Sequence, residues 1–438
     1  MPQSADLLIE PRWLIPVEPR GAVLEEHAVV VSAGRILDVL PARQACERYQ
    51  PGHRVALPEH ALIPGLVNLH THAAMALLRG IADDRPLMDW LQTRIWPAEV
   101  KHVSPAFVRD GTLLACAEML RGGITCFSDM YFFPEAAAEA ALVLGMRAAI
   151  GLFVIEFPTA YATDADDYLR KGLAARDRLR NEPLLSFCLA PHAPYTVSDA
   201  IFERIATLSA QLDLPIHLHV HETRQETEES LARHGARPLE RLRRLGLLGP
   251  GLIAVHAIHL DETEITLLAE NNCSVAHCPS SNMKLASGIA PISRMAEQGV
   301  RIGLGTDGAA SNNRLDLFQE MRQAGLLAKV STGDASVLDA HALLRMATLS
   351  GATALGLDAE IGSIEPGKAA DLCAVRLGGI ETSPCFDPAS HLIYAAGREH
   401  VSHVWVNGRI RLEDGVLRQC DTRTLLDTVI LWQNKLNA

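Results

Sequence analysis

The stretch ALIPGLVNLHTH, residues 61–72, decides how the rest of the chain is read. Its apolar run over residues 61–70 has the length of a buried strand. It closes on Asn68-Leu69-His70-Thr71-His72. Residues i and i+2 of a strand point to one face, so His70 and His72 can converge on a single ion. A lone HxH is more often a pair of loop histidines, and its weight depends on how the other apolar runs end. There are seven more: ITCFSDM (124–130), RAAIGLFVI (147–155), LLSFCLAPH (184–192), PIHLHVH (215–221), LIAVHAI (252–258), CSVAHCP (273–279) and RIGLGTD (301–307). All but the run 147–155 end in or near a potential ligand: Asp129, His192, His219, His256, His277 and Asp307.

Helical patterns fill most of the gaps. GTLLACAEMLRGG stops at Gly122-Gly123, a C-cap signal. Asp261 and Glu264 have the spacing of a capping box at the start of DETEITLLAENN. Eight strand–helix alternations predict a (β/α)8 TIM barrel, in which all these strand ends share the face that carries active sites. A doubly wound open sheet is the alternative. No GxxxxGK[ST] follows any strand, and the one GxGxxG spacing, GLGTDG (303–308), overlaps the last strand instead of opening a helix after the first, so the nucleotide-binding form has little support.

Outside the barrel, residues 1–60 and 401–417 are rich in short β-patterns, and Asn407-Gly408 is a hairpin signal. The predicted organisation is a small β-sandwich domain built from both termini, residues 1–60 and 360–425. It flanks a barrel over 61–359, and a C-terminal helix or tail covers 426–438. A chain of 438 residues is long enough for one large barrel plus an accessory domain.

Composition narrows the partners. The 40 basic and 52 acidic residues give a net charge of 40 − 52 = −12, the opposite of a nucleic-acid-binding footprint. The start MPQSADLLIEPRW has no basic segment followed by an apolar one, so no signal peptide is expected. The apolar runs are too short and too interrupted for a membrane span. Nine scattered cysteines predict no disulfide framework and point to a reducing cytoplasm.

Three imidazoles and one carboxylate, His70, His72, His219 and Asp307, suit zinc with a position left for water, and iron or manganese also accept such ligands. A metal there would bring the pKa of its water toward about 7. Other zinc signatures fail. His221-Glu222 begins an HExxH, but Gln225 stands where the second His is needed. There is no P-C-x-x-C. None of the six lysines lies near the end of the fourth strand, which disfavours a two-metal site bridged by a modified Lys. His217 reads as an inner-barrel histidine, His221 is ambiguous because the strand is already turning there, and His277 reads as a residue that orients a loop.

With these residues in view, the chain resembles the amidohydrolase superfamily, specifically the branch of 5′-methylthioadenosine/S-adenosylhomocysteine deaminases and related chlorohydrolases. The matching stretches are PGLVNLHTHAAMALLRG (64–80), MDWLQTRIWPAE (88–99), GITCFSDMYF (123–132), PHAPYT (191–196), HVHET (219–223), VHAIHL (255–260), HCPSSNMKL (277–285), GLGTDGAASNN (303–313) and GSIEPGKAADL (362–372). The resemblance implies one divalent metal per chain, Zn²⁺ first with Fe²⁺ or Mn²⁺ as alternatives, held by His70, His72, His219 and Asp307. It implies Glu222 as the acid that protonates N1 of a purine while metal-activated hydroxide attacks C6, with His256 and Asp307 handling the water's proton. Trp90, Glu99, His192, Glu222 and Ser311 match substrate-binding positions. The implied function is hydrolytic deamination of an adenine nucleoside. The alternatives are a guanine or aminotriazine aminohydrolase or chlorohydrolase, or a catalytically silent metal-binding scaffold. The implied partner is a small nucleoside and neither nucleic acid nor membrane; related proteins are commonly homodimers.

One stretch departs from the branch. Members that take S-adenosylhomocysteine well can grip its charged tail with arginines just after the third strand. Here no Arg lies between Arg147 and Arg170, and Glu156, Asp164, Asp166 and Asp167 stand in the interval. The expectation is a neutral 5′-substituent in a pocket that Phe153, Phe157 and Tyr161 help to line.

Overall fold

Eight parallel strands form the predicted barrel in chain order: Leu66–Thr71, Ile124–Asp129, Arg147–Val154, Leu185–Pro191, Ile216–Val220, Leu252–His256, Ser274–His277 and Arg301–Leu304. The structure, a computed structural model, describes residues 2–437. The eighth strand returns to the first: the Asp307 N–H donates to the His70 carbonyl at 3.0 Å. The Thr306 N–H donates to Asn68 Oδ1 at 2.9 Å. Those two bonds fasten the metal-ligand candidates of the first and last strands directly to each other.

The apolar run 61–70 is two strands. Residues 61–64 end a long strand, Tyr49–Pro64, that belongs to the other sheet and pairs with Leu372–Arg376. The barrel strand begins only at Leu66. The break falls at Gly65, where a Cβ would sit 2.1 Å from Thr125 Oγ1, so only glycine lets the chain pass the second barrel strand this closely. Apolar pattern alone could not find the break, because both halves are buried.

The two chain ends build one nine-stranded mixed sheet. It folds over its own core: Ile36 near one edge and Trp405 toward the other share a buried cluster with Leu62 and Leu372. The predicted Asn407-Gly408 hairpin forms between Val401–Val406 and Arg409–Glu413, with both turn residues at positive φ (51° and 71°). This sheet is pinned to the barrel by Arg147, at the start of the third barrel strand, which pairs with Asp371 at 3.0 Å with both side chains buried. Arg147 thus faces away from the strand ends that carry the site. The last helix, Thr422–Asn437, begins ahead of the expected residue 426. It docks through Trp432, whose Nε1–H donates to Asp110 Oδ2 at 2.8 Å and whose ring meets Phe107 edge-on. No helix among the described residues is long and apolar enough to cross a membrane.

Local signals hold where they were strongest. The helix Pro105–Arg121 ends at Gly122. The helix Glu262–Glu270 starts in a complete capping box: Asp261 Oδ1 accepts from the Glu264 N–H at 3.0 Å and Glu264 Oε2 accepts from the Asp261 N–H at 3.1 Å. Asp261→Ala should therefore lower unfolding stability by about 1 kcal/mol, read from the denaturant midpoint. An unchanged midpoint would mean the cap is redundant.

Candidate active site

Strands Leu66–Thr71, Ile216–Val220 and Leu252–His256 bring His70, His72, His219 and His256 to one rim, and Asp307 follows the eighth strand. His70, His219, His256 and Asp307 are buried, and His72 is partly so. The rings are oriented from behind. His72 Nδ1–H donates to the Met130 carbonyl at 2.6 Å and His219 Nδ1–H to the His192 carbonyl at 2.7 Å. A carbonyl only accepts, so each ring carries a proton on Nδ1, and it is Nε2 that faces the other members of the cluster. His70 Nδ1 lies 2.9 Å from His217 Nε2, and His217 Nδ1 lies 3.3 Å from Ser128 Oγ. His217 is thus the satisfied inner-barrel histidine expected of it.

The donor set fits a divalent ion. His70 Nε2 is buried without a hydrogen-bond partner, an arrangement that costs free energy unless something accepts its lone pair. It stands 3.4 Å from Asp307 Oδ1, and His72 Nε2 stands 3.3 Å from the same oxygen. The ligand atoms of His70, His72 and His219 all lie within 4.8 Å of one another, as do those of His70, His256 and Asp307. Burial pushes His70 down to about 4 and His219 well below the usual histidine range, so both rings are neutral and able to ligate. Burial alone would raise Asp307, but its contact with His70 and the nearby rings of His72 and His256 hold it well below the carboxylate range. Histidines tied through Nδ1 and presenting Nε2 are the usual form of a metal site.

Asp307 itself is held on both oxygens. Oδ1 accepts from the Gly308 N–H at 2.7 Å, and Oδ2 accepts from Ser281 and Ser311 at 2.6 and 2.9 Å. Ser311, expected at the substrate, also lines the cavity, but its hydrogen bond goes to Asp307. Ser281 and Asn282 were missed in the sequence. Asn282 Oδ1 accepts from His256 Nδ1–H at 2.8 Å, which leaves His256 Nε2 free on the cavity side, 3.8 Å from Glu222 Oε1. Both residues lie in HCPSSNMKL, yet nothing in their spacing shows which histidine or carboxylate they meet.

Glu222 is buried at the cavity wall, and burial raises its carboxyl to about 7; Asp307 and Glu226 add to the shift and His256 opposes it. The cavity holds about 390 Å³, ordinary for a small-molecule site. Trp90, Glu99 and His192 line it together with His72, His219, Glu222, His256 and Asp307. Glu99 accepts from the Tyr131 hydroxyl at 2.7 Å, and burial raises it to about 7 against that hydrogen bond. Leu87, Leu91, Ile95, Trp96, Phe153, Ile155 and Phe157 supply an apolar roof. No Lys or Arg lines the cavity among the described residues.

Tyr161 does not line it. It is packed behind, with its ring against Phe133 and Tyr168. The acids after the third strand do not face the cavity as free charges either. Glu156 accepts from the Ser198 hydroxyl at 2.7 Å, Asp164 caps the helix Ala165–Leu179, Asp166 pairs with Arg204, and Asp167 pairs with Lys171 at 2.9 Å and with Arg170. His277 is buried off the cavity, and its carbonyl accepts from the Gly305 N–H at 2.9 Å.

Comparison with known proteins places this geometry. The chain matches the Amidohydrolase family model over residues 61–411. It is 46% identical to the 5-methylthioadenosine/S-adenosylhomocysteine deaminase of Saccharophagus degradans, over 99% of this chain and 97% of that protein. Among solved structures it is similar to an adenosine deaminase from Xanthomonas campestris with bound zinc, at 51% identity, a TM-score of 0.99 and full coverage of both chains. It is also similar to the atrazine chlorohydrolase of Arthrobacter aurescens with zinc, at 25% identity and a TM-score of 0.88, over 98% of this chain and all of that one. Barrel, histidine cluster and full-length relatives agree, and the chain belongs to the amidohydrolase family.

Proposed function

We propose that this chain hydrolyses the 6-amino group of an adenine nucleoside to the inosine analogue and ammonia, with 5′-methylthioadenosine the preferred substrate and adenosine and S-adenosylhomocysteine further ones. One observation carries the reading: the free Nε2 atoms of the histidine cluster and Asp307 converge beside buried Glu222, in a cavity with an apolar roof and Glu99 on its wall. The relatives of about half-identical sequence bear deaminase names, against 25% identity to the chlorohydrolase. Free cysteines throughout the chain suit a reducing cytoplasm.

His70, His72, His219 and Asp307 would hold one divalent ion, with Zn²⁺ favoured over Fe²⁺ or Mn²⁺. When bound, such an ion acidifies water enough to supply a nucleophile near neutral pH. Glu222, protonated in part near pH 7, donates to purine N1 and draws electron density away from C6. His256, whose Nε2 faces the cavity, and Asp307 take the proton released from water and pass it to the departing amine. Glu99 accepts from ribose hydroxyls, with Tyr131 fixing its orientation. His192 Nδ1 is bonded to Thr196 Oγ1 at 3.0 Å, which leaves its Nε2 to accept from the substrate. Trp90 closes the apolar side over the base.

The test is ammonia release over a panel of methylthioadenosine, adenosine, S-adenosylhomocysteine, guanine and cytosine. Release from guanine but from none of the nucleosides would reject the proposal in favour of another amino-heterocycle.

Specificity within the panel comes from the lining. A carboxylate-bearing tail needs a cation, ideally a bidentate Arg, and a carboxylate brought near an apolar wall without one costs free energy. The discrimination arises from the missing cation, because the nearby acids are already spent on Ser198, Arg204, Lys171 and a helix N-terminus. A methylthio group needs only apolar contact, which Phe153 and Phe157 offer. The kcat/KM for methylthioadenosine should exceed that for S-adenosylhomocysteine by at least about tenfold, roughly 1.4 kcal/mol. Arg147 is buried against Asp371 and cannot reach the tail, so equal values would require a cation from Arg170, exposed beside Asp167, or from a neighbouring subunit.

A further inference from the structure

Glu222 has a buried carboxylate, and its side chain makes no hydrogen bond to another side chain or to the backbone among the described residues; His256 Nε2 stands 3.8 Å from its Oε1. Its direction is therefore set by the backbone that carries it. That backbone is unusual. The fifth barrel strand ends at Val220, and His221 turns back at φ 56°, a left-handed conformation that is strained for a non-glycine residue unless its surroundings hold it.

Glu226 supplies a hold from within the same turn. It is 6% exposed and stands at the third position of the helix Arg224–His234, whose N-cap is Thr223. Thr223 Oγ1 accepts from the Glu226 N–H at 3.1 Å, as in a capping box. In an ordinary capping box the carboxylate then returns to the N-cap N–H. Here it reaches past the cap: one oxygen accepts from the His221 N–H at 3.0 Å and the other from the Glu222 N–H at 2.8 Å. Both oxygens are thus engaged with the two peptide units that aim Glu222. Hydrogen bonds from N–H groups to an ionised carboxylate are about twice as strong as neutral ones.

The elbow is also laced to its neighbour. The sixth strand ends at His256, and His256 and the following Ala257 are both at positive φ (70° and 47°). The Ala257 N–H donates to the Val220 carbonyl at 3.1 Å, and the Ile258 and His259 N–H groups donate to the His221 carbonyl at 2.9 and 3.1 Å. The two strained turns bearing Glu222 and His256 share these bonds, so a shift at one moves the distance between the two side chains.

We propose that Glu226 is a positioning residue: its carboxylate fixes the His221–Glu222 peptides and thereby sets the reach of Glu222 to the substrate. The proposal rests on the acid role proposed for Glu222. Glu226→Gln keeps size but turns an NH₂ toward a peptide N–H, so one of the two bonds is lost and a donor faces a donor. A displacement near 1 Å at a reacting group is worth up to about 10²-fold. Glu226→Gln should lower kcat by at least about tenfold, with KM within about twofold, metal content unchanged and the protein still fully folded at the assay temperature.

Two measurements separate this role from a merely structural one. In a Glu222→Gln background the same change should have almost no further effect on kcat, since the group it aims is already gone. Amide hydrogen exchange should accelerate over residues 220–224 in Glu226→Gln while the other barrel strands keep wild-type protection. Equal losses in both backgrounds, an unchanged kcat, or a fall in metal content or Tm that accounts for the loss would each overturn the proposal. The exchange measurement does not depend on the substrate: if wild-type protein deaminates no nucleoside, the functional reading fails while the hold on the elbow is still tested, and unaltered exchange would overturn it.

Discussion

Replacing Glu222 by Gln is expected to lower kcat by at least about 10²-fold, about 2.7 kcal/mol of transition-state stabilisation. Gln keeps the size of the side chain and one hydrogen-bond acceptor, but it has no acidic proton to give to N1. Burial holds the native carboxyl up at about 7, so near neutral pH a large fraction carries that proton. The change removes a group that acts in the transition state, and kcat and kcat/KM should fall together. Metal content should stay at the wild-type level, because the Glu222 carboxylate is not part of either cluster of converging ligand atoms. Steady-state kinetics with metal analysis of the same preparation decide it. Turnover at near the wild-type rate would place the acid elsewhere; loss of metal in Glu222→Gln would make Glu222 a ligand.

His219→Ala should abolish tight metal binding, and activity with it. His219 approaches His70 and His72 from the fifth strand, and its Nδ1–H is already committed to the His192 carbonyl. Alanine leaves the fifth strand's pairing untouched, because His219 and Val255 are matched through backbone groups. Removal even of a group that only supports a ligand typically costs about 10–100-fold in affinity, so loss of a ligand should exceed that. Elemental analysis after extensive dialysis should find about one divalent ion per wild-type chain and a small fraction of that in the variant. The wild-type protein should also lose thermal stability to a chelator, since an ion bound only by the folded state stabilises it, and the variant should show little such response. Two ions per wild-type chain would reject the mononuclear site, and a full complement in His219→Ala would reject His219 as a ligand.

Much of the site was legible because strand ends are legible. A barrel strand is a short apolar run, and the polar residues just beyond it on the active face break the pattern. His70, His72, His192, His219, His256 and Asp307 stood out in this way before any geometry was known, whereas Glu222 was marked by the family resemblance. The Asp261 cap, the Gly122 stop and the Asn407-Gly408 hairpin were equally local, each decided within a few residues by which backbone groups lacked partners.

What the sequence did not disclose depends on which distant residues meet. The run 61–70 reads as one strand, but close passage of Gly65 over Thr125 divides it between two sheets. Tyr161 reads as pocket lining, yet its ring packs outward against Tyr168. The acids after the third strand stand where the branch can carry arginines, yet Glu156 and Asp166 are taken up by Ser198 and Arg204 from a later part of the chain. Ser281, Asn282, Tyr131 and Glu226 carry no pattern of their own, and they matter only because folding places them against Asp307, His256, Glu99 and the Glu222 elbow. The sequence by itself determined the barrel, the sheet from both termini and the strand ends that carry the candidate ligands, since burial periodicity and caps are properties of neighbouring residues. Only the tertiary structure decided which groups the histidine rings face, how the turn at His221 and Glu222 is held, and that no Lys or Arg among the described residues lines the cavity, because each of these is a distance between groups that the chain connects only by folding.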